Sequence, residues 1–174
     1  MSGHIQTAKS TSWNTPEVVL IPTRKVFDGT IDLDPCSNDG SIVGATTSFT
    51  LPQDGLKESW WLNFKTIFVN PPYGRDTERG TSIADWIRKC SASSYPGGPS
   101  VIALIPSAVD TKVWHEVIFK DVSAQKAAVC FWKGRLTFLG GKACAPFATS
   151  IVYWGQNQAI FRYEFEKHGF VIGG

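Results

Sequence analysis

The sequence is poor in the features that mark metalloproteins, disulfide-stabilised secreted proteins and membrane proteins. Its four cysteines form no Cys-x-x-Cys pair, and none of its three histidines lies at metal-ligand spacing from them. This pattern predicts neither a metal site nor a disulfide framework, and it favours a reducing cytoplasm. No apolar run approaches the length of a membrane span, and residues 1–11 are polar without the apolar core of a signal peptide. We therefore expect a soluble cytoplasmic protein that neither binds a metal nor enters a membrane.

The sequence also lacks a large excess of charge of either sign. The 17 basic and 15 acidic residues leave a net charge of +2, which does not by itself indicate binding to nucleic acid. Three small basic clusters are each explained simply as solvated surface charge: Arg75 with Arg79, Arg88 with Lys89, and Lys133 with Arg135 and Lys142. Apolar residues are abundant by contrast, at 43% with seven tryptophans, and predict a real hydrophobic core. The length of 174 residues suits a single domain, which we place at residues 13–174 after a flexible arm of residues 1–12.

Apolar periodicity and turn residues predict the secondary structure. Predicted strands cover residues 30–34, 46–50, 66–69, 100–105, 127–132, 150–154 and, at an edge of the sheet, 160–165. Predicted helices cover residues 82–92 and 110–120, with a short helical turn at 56–62. A first helix should begin with Thr15 as N-cap and Pro16 as its first residue, and Pro22 should kink or end it early. Strands that alternate with helices and end in a strand pair predict an α/β sheet, mostly parallel with an antiparallel closing strand pair.

Two proline-containing tetrapeptides follow predicted strands. Asp34-Pro35-Cys36-Ser37 closes the first strand, and Asn70-Pro71-Pro72-Tyr73 closes the buried run of residues 66–69. In open α/β sheets, ligands bind outside the carboxyl ends of the strands. The sequence therefore predicts that the functional site lies where these two tetrapeptides come together.

The tetrapeptide Asn70-Pro71-Pro72-Tyr73 suits a planar substrate group that carries an NH2. Consecutive prolines restrict the backbone, so their carbonyl oxygens and the side-chain oxygen of Asn70 become rigidly held hydrogen-bond acceptors. Two acceptors that hold both hydrogens of an adenine amine draw its nitrogen towards tetrahedral geometry and free its lone pair for attack on a sulfonium methyl. Orientation and fixed dipoles would supply most of the rate, and Tyr73 would stack on the base. The alternative is a strand terminator, with the prolines and the tyrosine in a surface turn.

An ordered set of short motifs spans most of the chain. The set comprises Trp13-Asn14-Thr15-Pro16, Asp32-Leu33-Asp34-Pro35-Cys36, Asp54-Gly55-Leu56 before Trp60, Asn70-Pro71-Pro72-Tyr73-Gly74, Leu104-Ile105-Pro106-Ser107 and Gly134-Arg135-Leu136-Thr137-Phe138. With these motifs, from Trp13 to about Gly155, the chain closely resembles the compact phage-type DNA N-6-adenine methyltransferases. The resemblance implies a reduced Rossmann-like sheet, S-adenosylmethionine as cofactor, DNA as partner, and methyl transfer to the exocyclic amine of a flipped adenine. A phage-encoded enzyme of this kind would act in the host cell cytoplasm.

The resemblance also implies which residues hold the cofactor. These are Thr15, Pro16, Asp34, Pro35, Asp54, Leu56 and Asn70. Thr15 would contact the methionine part, the carboxylate of Asp34 would face its ammonium group, and Asp54 would accept a hydrogen bond from the cofactor's adenine. Structural alternatives stay open for each of these three residues: a helix cap for Thr15, an Asx-turn for Asp34, and a turn dipeptide with Gly55 for Asp54.

For DNA, the resemblance implies an aromatic side chain in the closing strands that stacks on the flipped base opposite Tyr73. Trp154 is the candidate, and a core tryptophan is the alternative. Lys133 and Arg135 would hold DNA phosphates, which would make affinity dependent on salt, although Arg135 could equally form a structural ion pair. Since no separate target-recognition domain fits in the chain, sequence specificity would come from loops such as residues 74–81 or be low.

The chain departs from the family's pattern in two respects. It lacks the Gly-rich turn after the first strand, and it shows no clear acidic residue for the cofactor's ribose. Two other functions therefore stay open: methylation of a protein glutamine amide, and DNA binding by a catalytically inactive relative. Methylation of a cytosine ring is disfavoured because it needs a cysteine nucleophile, and Cys36 is better explained as a small packed residue. The motifs are compatible with a monomer or a dimer.

Overall fold

The computed structural model describes residues 14–94, 96–139 and 144–174. Its strands are β1 (Leu33–Asp34), β2 (Thr47–Ser48), β3 (Thr66–Val69), β4 (Ser100–Pro106), β5 (Ala127–Trp132), β6 (Thr149–Trp154) and β7 (Gly169–Ile172). Its helices are α1 (Glu17–Val26), α2 (Ile83–Ser93), a π-helical turn (Trp114–Ile118) that continues into α3 (Phe119–Ser123), and α4 (Gln158–Phe165). The predicted arm of residues 1–12, Trp13 and Lys142 lie outside the described residues.

The described strands form a single seven-stranded sheet in the order β2-β1-β3-β4-β6-β5-β7. β2, β1, β3 and β4 are parallel to one another, and β6, β5 and β7 continue the sheet in antiparallel pairs. This order confirms the predicted α/β class with a reduced Rossmann-like sheet whose centre is parallel. The antiparallel part contains three strands, because β7 adds to the predicted pair.

Helices cover both faces of the sheet, which explains why its central strands are apolar along their whole length. In β4, Ile102 and Leu104 belong to one buried cluster, which also contains apolar side chains of α1 and α4. Val101, Ala103 and Ile105 alternate with them and belong to a second cluster with α2 and the π-helical turn. The two clusters follow the pleat of the strand, in which successive side chains point to opposite faces.

The edge strand predicted at residues 160–165 is wrong, since this segment lies within α4. Phe161 and Phe165 are fully buried, whereas Ile160 is 45% exposed. Their spacing of four residues is typical of one face of a helix. The segment was predicted as a strand because it is short and its apolar and polar residues nearly alternate. The edge strand is instead β7, which pairs with β5.

The start of α1 also differs from the prediction. Pro16 is the N-cap residue and no side chain caps the helix, so Thr15 does not act as its N-cap. Pro22 lies inside α1 without ending it. Its missing N–H removes one helical hydrogen bond, but the burial of side chains such as Val19 and Leu20 against the sheet holds the helix together.

Two further predicted segments take a different form. Residues 56–62 contain turns and no helix. The helix predicted at residues 110–120 is the π-helical turn followed by α3. The predicted strands at 66–69 and 127–132 coincide with β3 and β5.

The carboxyl ends of β1, β3, β4 and β5 lie at one edge of the sheet, which we call the carboxyl edge. β1, β3 and β4 are parallel, and β5 has the same direction because β6 is antiparallel to both β4 and β5. β6 therefore begins at the carboxyl edge and ends at the opposite one. Pro106 pairs with Thr149 at the carboxyl edge, and Val101 pairs with Trp154 at the other.

Replacing Phe161 by alanine tests the assignment of α4. Phe161 is fully buried and its ring stacks on that of Tyr153, with centroids 5.3 Å apart. We expect Phe161→Ala to lower the free energy of unfolding by about 3–5 kcal/mol in urea denaturation, because it leaves a cavity. The matched control Tyr163→Ala should cost less than about 1 kcal/mol, since that side chain is 62% exposed in α4, whereas a strand would place residues 161 and 163 on the same face. Equal losses in the two variants would contradict the helical assignment.

Candidate active site

The carboxyl edge brings the two predicted tetrapeptides together. Asp34 ends β1, Asn70 follows the last residue of β3, and the two strands are paired in parallel. The segment before α1 crosses the same edge and places Thr15 Oγ1 3.1 Å from Asn70 Nδ2. We call the space between these elements the polar cleft; it is lined by Asn14, Thr15, Asp34, Cys36, Ser37, Asn38, Ser41, Val43 and Asn70.

Asn70 is held by hydrogen bonds from both its backbone and its side chain. Its backbone N–H donates to the sulfur of Cys36. Its side-chain Nδ2 donates to Thr15 Oγ1, and its Oδ1 accepts a hydrogen bond of 3.0 Å from the hydroxyl of Tyr73. The amide is thus engaged at its nitrogen end and at its oxygen end by different elements of the fold.

Tyr73 reaches inward from the carboxyl edge. Its hydroxyl lies 3.3 Å from the carbonyl oxygen of Leu104 in β4, in addition to its bond with Asn70. Its ring makes edge-to-face contacts with Phe138 and Phe147, at centroid distances of 6.3 and 5.3 Å. Burial raises the pKa of the Tyr73 hydroxyl well above its ordinary value, so the group stays a neutral donor. The side chain is only partly exposed, and its hydroxyl end is the buried end.

Asp34 is a buried carboxylate with long hydrogen bonds. It is 3% exposed, and it accepts from the backbone N–H of Cys36 at 3.3 Å and from the hydroxyl of Ser41 at 3.4 Å. Burial raises the pKa of Asp34 above 3.8, and its hydrogen bonds offset only part of that effect. A cation in the polar cleft would relieve the desolvation of this carboxylate.

Two amide oxygens that border the polar cleft have no hydrogen-bond partner among the described residues. They are Oδ1 of Asn14 and Oδ1 of Asn38, both buried. An unpartnered buried acceptor costs free energy, and its presence beside a cleft indicates a ligand that donates hydrogen bonds. Neither residue was assigned a role from the sequence, although Asn14 belongs to the motif Trp13-Asn14-Thr15-Pro16. For Asn38, the sequence signal was the polar composition of the loop that follows β1.

Cys36 is not set up as a nucleophile. Burial, and after it the nearby carboxylate of Asp34, raises the pKa of the Cys36 thiol well above its ordinary value. A protonated thiol that accepts a hydrogen bond from the Asn70 backbone is a weak nucleophile. This agrees with its interpretation as a packed residue.

The loop that carries Asp54 lies directly against the end of β1. Gly55 packs on Pro35 so closely that a Cβ at residue 55 would overlap the Pro35 carbonyl oxygen. The indole N–H of Trp60 donates to the Gly55 carbonyl at 3.0 Å, which holds the loop in this position. Glycine is therefore required here by close approach, and the predicted adenine-binding residue Asp54 lies near the predicted methionine-binding residues.

Asp54 already has partners of its own. It is 9% exposed, and its Oδ1 accepts a hydrogen bond of 3.0 Å from the backbone N–H of Leu56, which closes an Asx-turn. Arg79, from the loop after the tetrapeptide, lies 3.8 Å from it and also forms an ion pair of 2.6 Å with Asp76. The predicted turn role of Asp54 is thus present, and Arg79 connects the loop at residues 74–81 to it.

Lys133 and Arg135 project from the carboxyl edge. They follow the end of β5, both are exposed, and neither forms an ion pair within the described part of the chain. The segment beyond them returns to the site, where Phe138 contacts Tyr73 and Leu139 pairs with Asn14. The structural ion pair considered for Arg135 is therefore absent from the described residues.

Trp154 is not brought to this site. It ends β6 at the opposite edge of the sheet, is 1% exposed, and its indole N–H donates to Asp121 at 2.8 Å. The prediction that it stacks on a substrate base fails because β6 is antiparallel to β4 and so carries its last residue away from Asn70. Its position agrees with the alternative of a core tryptophan.

Within residues 14–94, 96–139 and 144–174, no group of three or more His, Cys, Asp or Glu side chains is placed to hold a metal ion. The helices of the same residues include none with the length and apolar character needed to cross a membrane.

Comparison with known proteins gives a family. A family model described as DNA N-6-adenine-methyltransferase (Dam) matches residues 2–163. The match covers both tetrapeptides and every residue that lines the polar cleft. It confirms the resemblance indicated by the sequence motifs. No curated protein and no solved structure matches the chain.

Asp34 and Asp32, which are two residues apart, allow a test of the electrostatics of the polar cleft. Because the pKa of Asp34 is raised on folding, its ionisation lowers stability as pH rises from below 3.8 through the raised value. We expect Asp34→Asn, without ligand, to be more stable than the wild type at neutral pH and to lose this advantage at acid pH. Urea denaturation at several pH values measures the difference.

Asp32→Asn is the matched control. Asp32 Oδ2 accepts hydrogen bonds from the backbone N–H groups of Lys65 and Thr66, at 2.7 and 3.2 Å, so it anchors the start of β3. Loss of its charge should lower stability by about 1 kcal/mol at neutral pH. If Asp34→Asn were destabilising to the same extent as Asp32→Asn, the cleft carboxylate would be structural.

Proposed function

Because the chain belongs to the DNA N-6-adenine-methyltransferase (Dam) family, we propose that it transfers a methyl group from S-adenosylmethionine to the exocyclic amine of an adenine flipped out of DNA. The observation that carries this proposal is the convergence of Thr15, Asp34 and Asn70 in one polar cleft. The tetrapeptide suited to a planar amino group and the acidic end of β1 therefore border the same space.

The hydrogen-bond acceptors of the polar cleft suit the charged amino-acid part of S-adenosylmethionine. The buried carboxylate of Asp34 and the unpartnered amide oxygens of Asn14 and Asn38 form a set of acceptors. An ammonium group carries three donors and a positive charge, so it would satisfy these acceptors and relieve the desolvation of Asp34. When bound, the cofactor supplies an electrophilic methyl group on its sulfonium centre.

The rest of the proposed cofactor site extends along the end of β1. Thr15 lines the cleft and would contact the methionine part together with the adjacent Pro16, and Pro35 packs against Gly55 of the next loop. Asp54 and Leu56 of that loop hold the adenine of the cofactor, with the carboxylate of Asp54 accepting from its amine. Asp54 is buried, with 9% exposure, and keeps acceptor capacity beyond its bond to the Leu56 N–H and its longer ion pairs with Lys57 and Arg79.

The protein's part in the reaction is to hold and orient the substrate amine. Asn70 Oδ1 and the carbonyl oxygen of Pro71 accept the two N–H groups of the adenine amine, and the rigid Pro71-Pro72 step keeps the two acceptors at a fixed separation. The nitrogen lone pair, otherwise delocalised into the ring, is then free to point at the methyl group. No side-chain base is needed to form the new bond: the cofactor would leave as S-adenosylhomocysteine, and the methylated nitrogen would lose its surplus proton to solvent water. Placement and fixed dipoles supply the rate.

Aromatic and basic residues at the carboxyl edge complete the proposed DNA site. The exposed part of the Tyr73 ring provides the surface on which the flipped base stacks. Lys133 and Arg135 contact DNA phosphates, which is consistent with their exposure and with their position at the carboxyl edge. We place these functions in a single domain of residues 13–174, since one sheet and two buried clusters span the described part of that range. We propose a cytoplasmic location, where DNA and S-adenosylmethionine are both present.

Mass spectrometry of digested DNA from cells that express the protein tests the proposal. We expect N6-methyladenine with the wild type. Asn70→Ala should lower the purified enzyme's rate by at least about 100-fold, because a placed polar group of the reaction is lost. Cofactor binding by calorimetry should be largely retained. Methyl transfer to a protein glutamine instead of DNA, or full turnover by Asn70→Ala, would contradict the proposal.

The salt dependence of DNA binding tests the basic residues. If Arg135 neutralises one phosphate, Arg135→Ala should weaken binding to all DNA sequences and reduce the slope of log K against log salt by about 1. Arg88→Ala is the matched control, because Arg88 is an exposed arginine of α2 that pairs with Asp85. An equal change of slope in both variants would remove Arg135 from the DNA site.

A further inference from the structure

The side-chain amide of Asn70 is held at both ends by hydroxyl groups. Thr15 Oγ1 accepts from Nδ2 at 3.1 Å, and the Tyr73 hydroxyl donates to Oδ1 at 3.0 Å. The two hydroxyls come from distant parts of the chain, one from the segment before α1 and the other from the end of the tetrapeptide. Neither contact was predicted from the sequence.

Orientation matters for this amide because its two ends are chemically opposite. The oxygen accepts hydrogen bonds and the nitrogen donates them. An amide turned by 180° would place its NH2 against the NH2 of a substrate, which is a repulsive contact between donors. The reaction proposed above therefore needs Asn70 in one of two states that are nearly equal in shape.

Thr15 holds the nitrogen end of the amide. It is 2% exposed, and it does not cap α1, so its hydroxyl has no helical partner. A buried hydroxyl without a hydrogen bond is costly, and the Asn70 amide provides that bond. Because a hydroxyl can donate as well as accept, the orientation depends on both contacts together: Thr15 accepts from Nδ2 while the Tyr73 hydroxyl donates to Oδ1.

The Tyr73 hydroxyl acts on the opposite end of the amide. Its contact with the Leu104 carbonyl at 3.3 Å and the packing of its ring on Phe138 and Phe147 fix where its oxygen lies. A phenylalanine at this position would keep the ring for base stacking but would lose the bond to Asn70. Removal of the hydroxyl oxygen alone therefore separates the positioning role of Tyr73 from its stacking role.

We propose that Thr15 and the hydroxyl of Tyr73 are positioning residues that set the Asn70 amide with its oxygen available to the substrate amine. This inference rests on the proposed function and deepens it. It gives Thr15 a role in the methyl-transfer step beyond the cofactor contact implied by the family resemblance. It gives Tyr73 a second role beyond stacking.

A set of threonine variants tests the inference. Thr15→Val keeps the shape but removes the hydroxyl, and we expect kcat to fall by about 10- to 100-fold because the amide is no longer held in the productive orientation. KM for DNA should change little, and any loss of affinity for S-adenosylhomocysteine should be smaller than the loss of kcat. Thr15→Ser should restore most of kcat. Thr23→Val is the matched control, because Thr23 is fully buried and its hydroxyl donates within α1, to the Val19 carbonyl at 2.8 Å.

Asn70→Asp provides the sharpest comparison. A carboxylate has an acceptor at both ends and therefore no wrong orientation. If Thr15 acts by orienting the amide, Thr15→Val should cost much less in the Asn70→Asp background than in the wild type. An equal loss in both backgrounds, or a loss in Thr15→Val that is confined to cofactor affinity, would overturn the inference.

Tyr73→Phe should lower kcat by about 10-fold while DNA affinity stays near that of the wild type, since the stacking ring is retained. Tyr73→Ala should weaken DNA binding as well. Unchanged kcat in Tyr73→Phe would remove the hydroxyl from the inference.

Nuclear magnetic resonance of the ¹⁵N-labelled full chain reads the geometry without any turnover. The Nδ2 protons of Asn70 should show nuclear Overhauser effects to the Thr15 methyl group and should shift in Thr15→Val but not in Thr23→Val. Effects to the Tyr73 ring in place of Thr15 would show the reverse orientation and overturn the inference. If the wild type makes no N6-methyladenine, the proposed function fails, and this measurement still decides whether the amide is held as described.

Discussion

The parallel pairing of β1 and β3 is the constraint on which the site depends. Leu33 pairs with Ile67, so both strands end at the same edge and present Asp34 and Asn70 side by side. The register is held by hydrogen bonds at the start of the two strands: the N–H of Asp32 donates to the Thr66 carbonyl at 3.0 Å, and the carboxylate of Asp32 accepts from the N–H groups of Lys65 and Thr66. The polar cleft thus lies where two short strands end together, and its chemistry comes from Asp34, the last residue of β1, and Asn70, the residue after β3.

The parts of the site that could be predicted are those encoded locally. The run that forms β3 is β-branched and aromatic and ends at two prolines, so both the strand and its end are visible in the sequence. Thr15, Asp34 and Asn70 were predicted as site residues, and the structure brings all three into one cleft. Local signals sufficed because each residue lies within one or two positions of an element boundary or of a proline.

The parts that could not be predicted depend on direction and on partners distant in sequence. Trp154 is the last residue of β6, and Asn70 comes directly after β3. Because β6 is antiparallel to its neighbour β4, however, Trp154 lies at the opposite edge of the sheet. Asn14 and Asn38 resemble ordinary loop asparagines until the fold shows that their oxygens are buried without partners. The helix α4 was mistaken for a strand because the sheet that selects its buried face is formed by residues elsewhere in the chain.

The contact between Gly55 and Pro35 bears on which nucleosides the proposed cofactor site could accept. The absence of a side chain lets the backbone at residue 55 touch the end of β1, so Asp34 and Asp54 belong to one rigid frame and keep a constant separation. Both ends of that frame are buried carboxylates. Under the proposed function, the carboxylate of Asp34 would attract the cationic end of the cofactor and would repel the phosphate groups of nucleotides such as ATP. Close packing at Gly55 would then contribute to selection of the cofactor by charge.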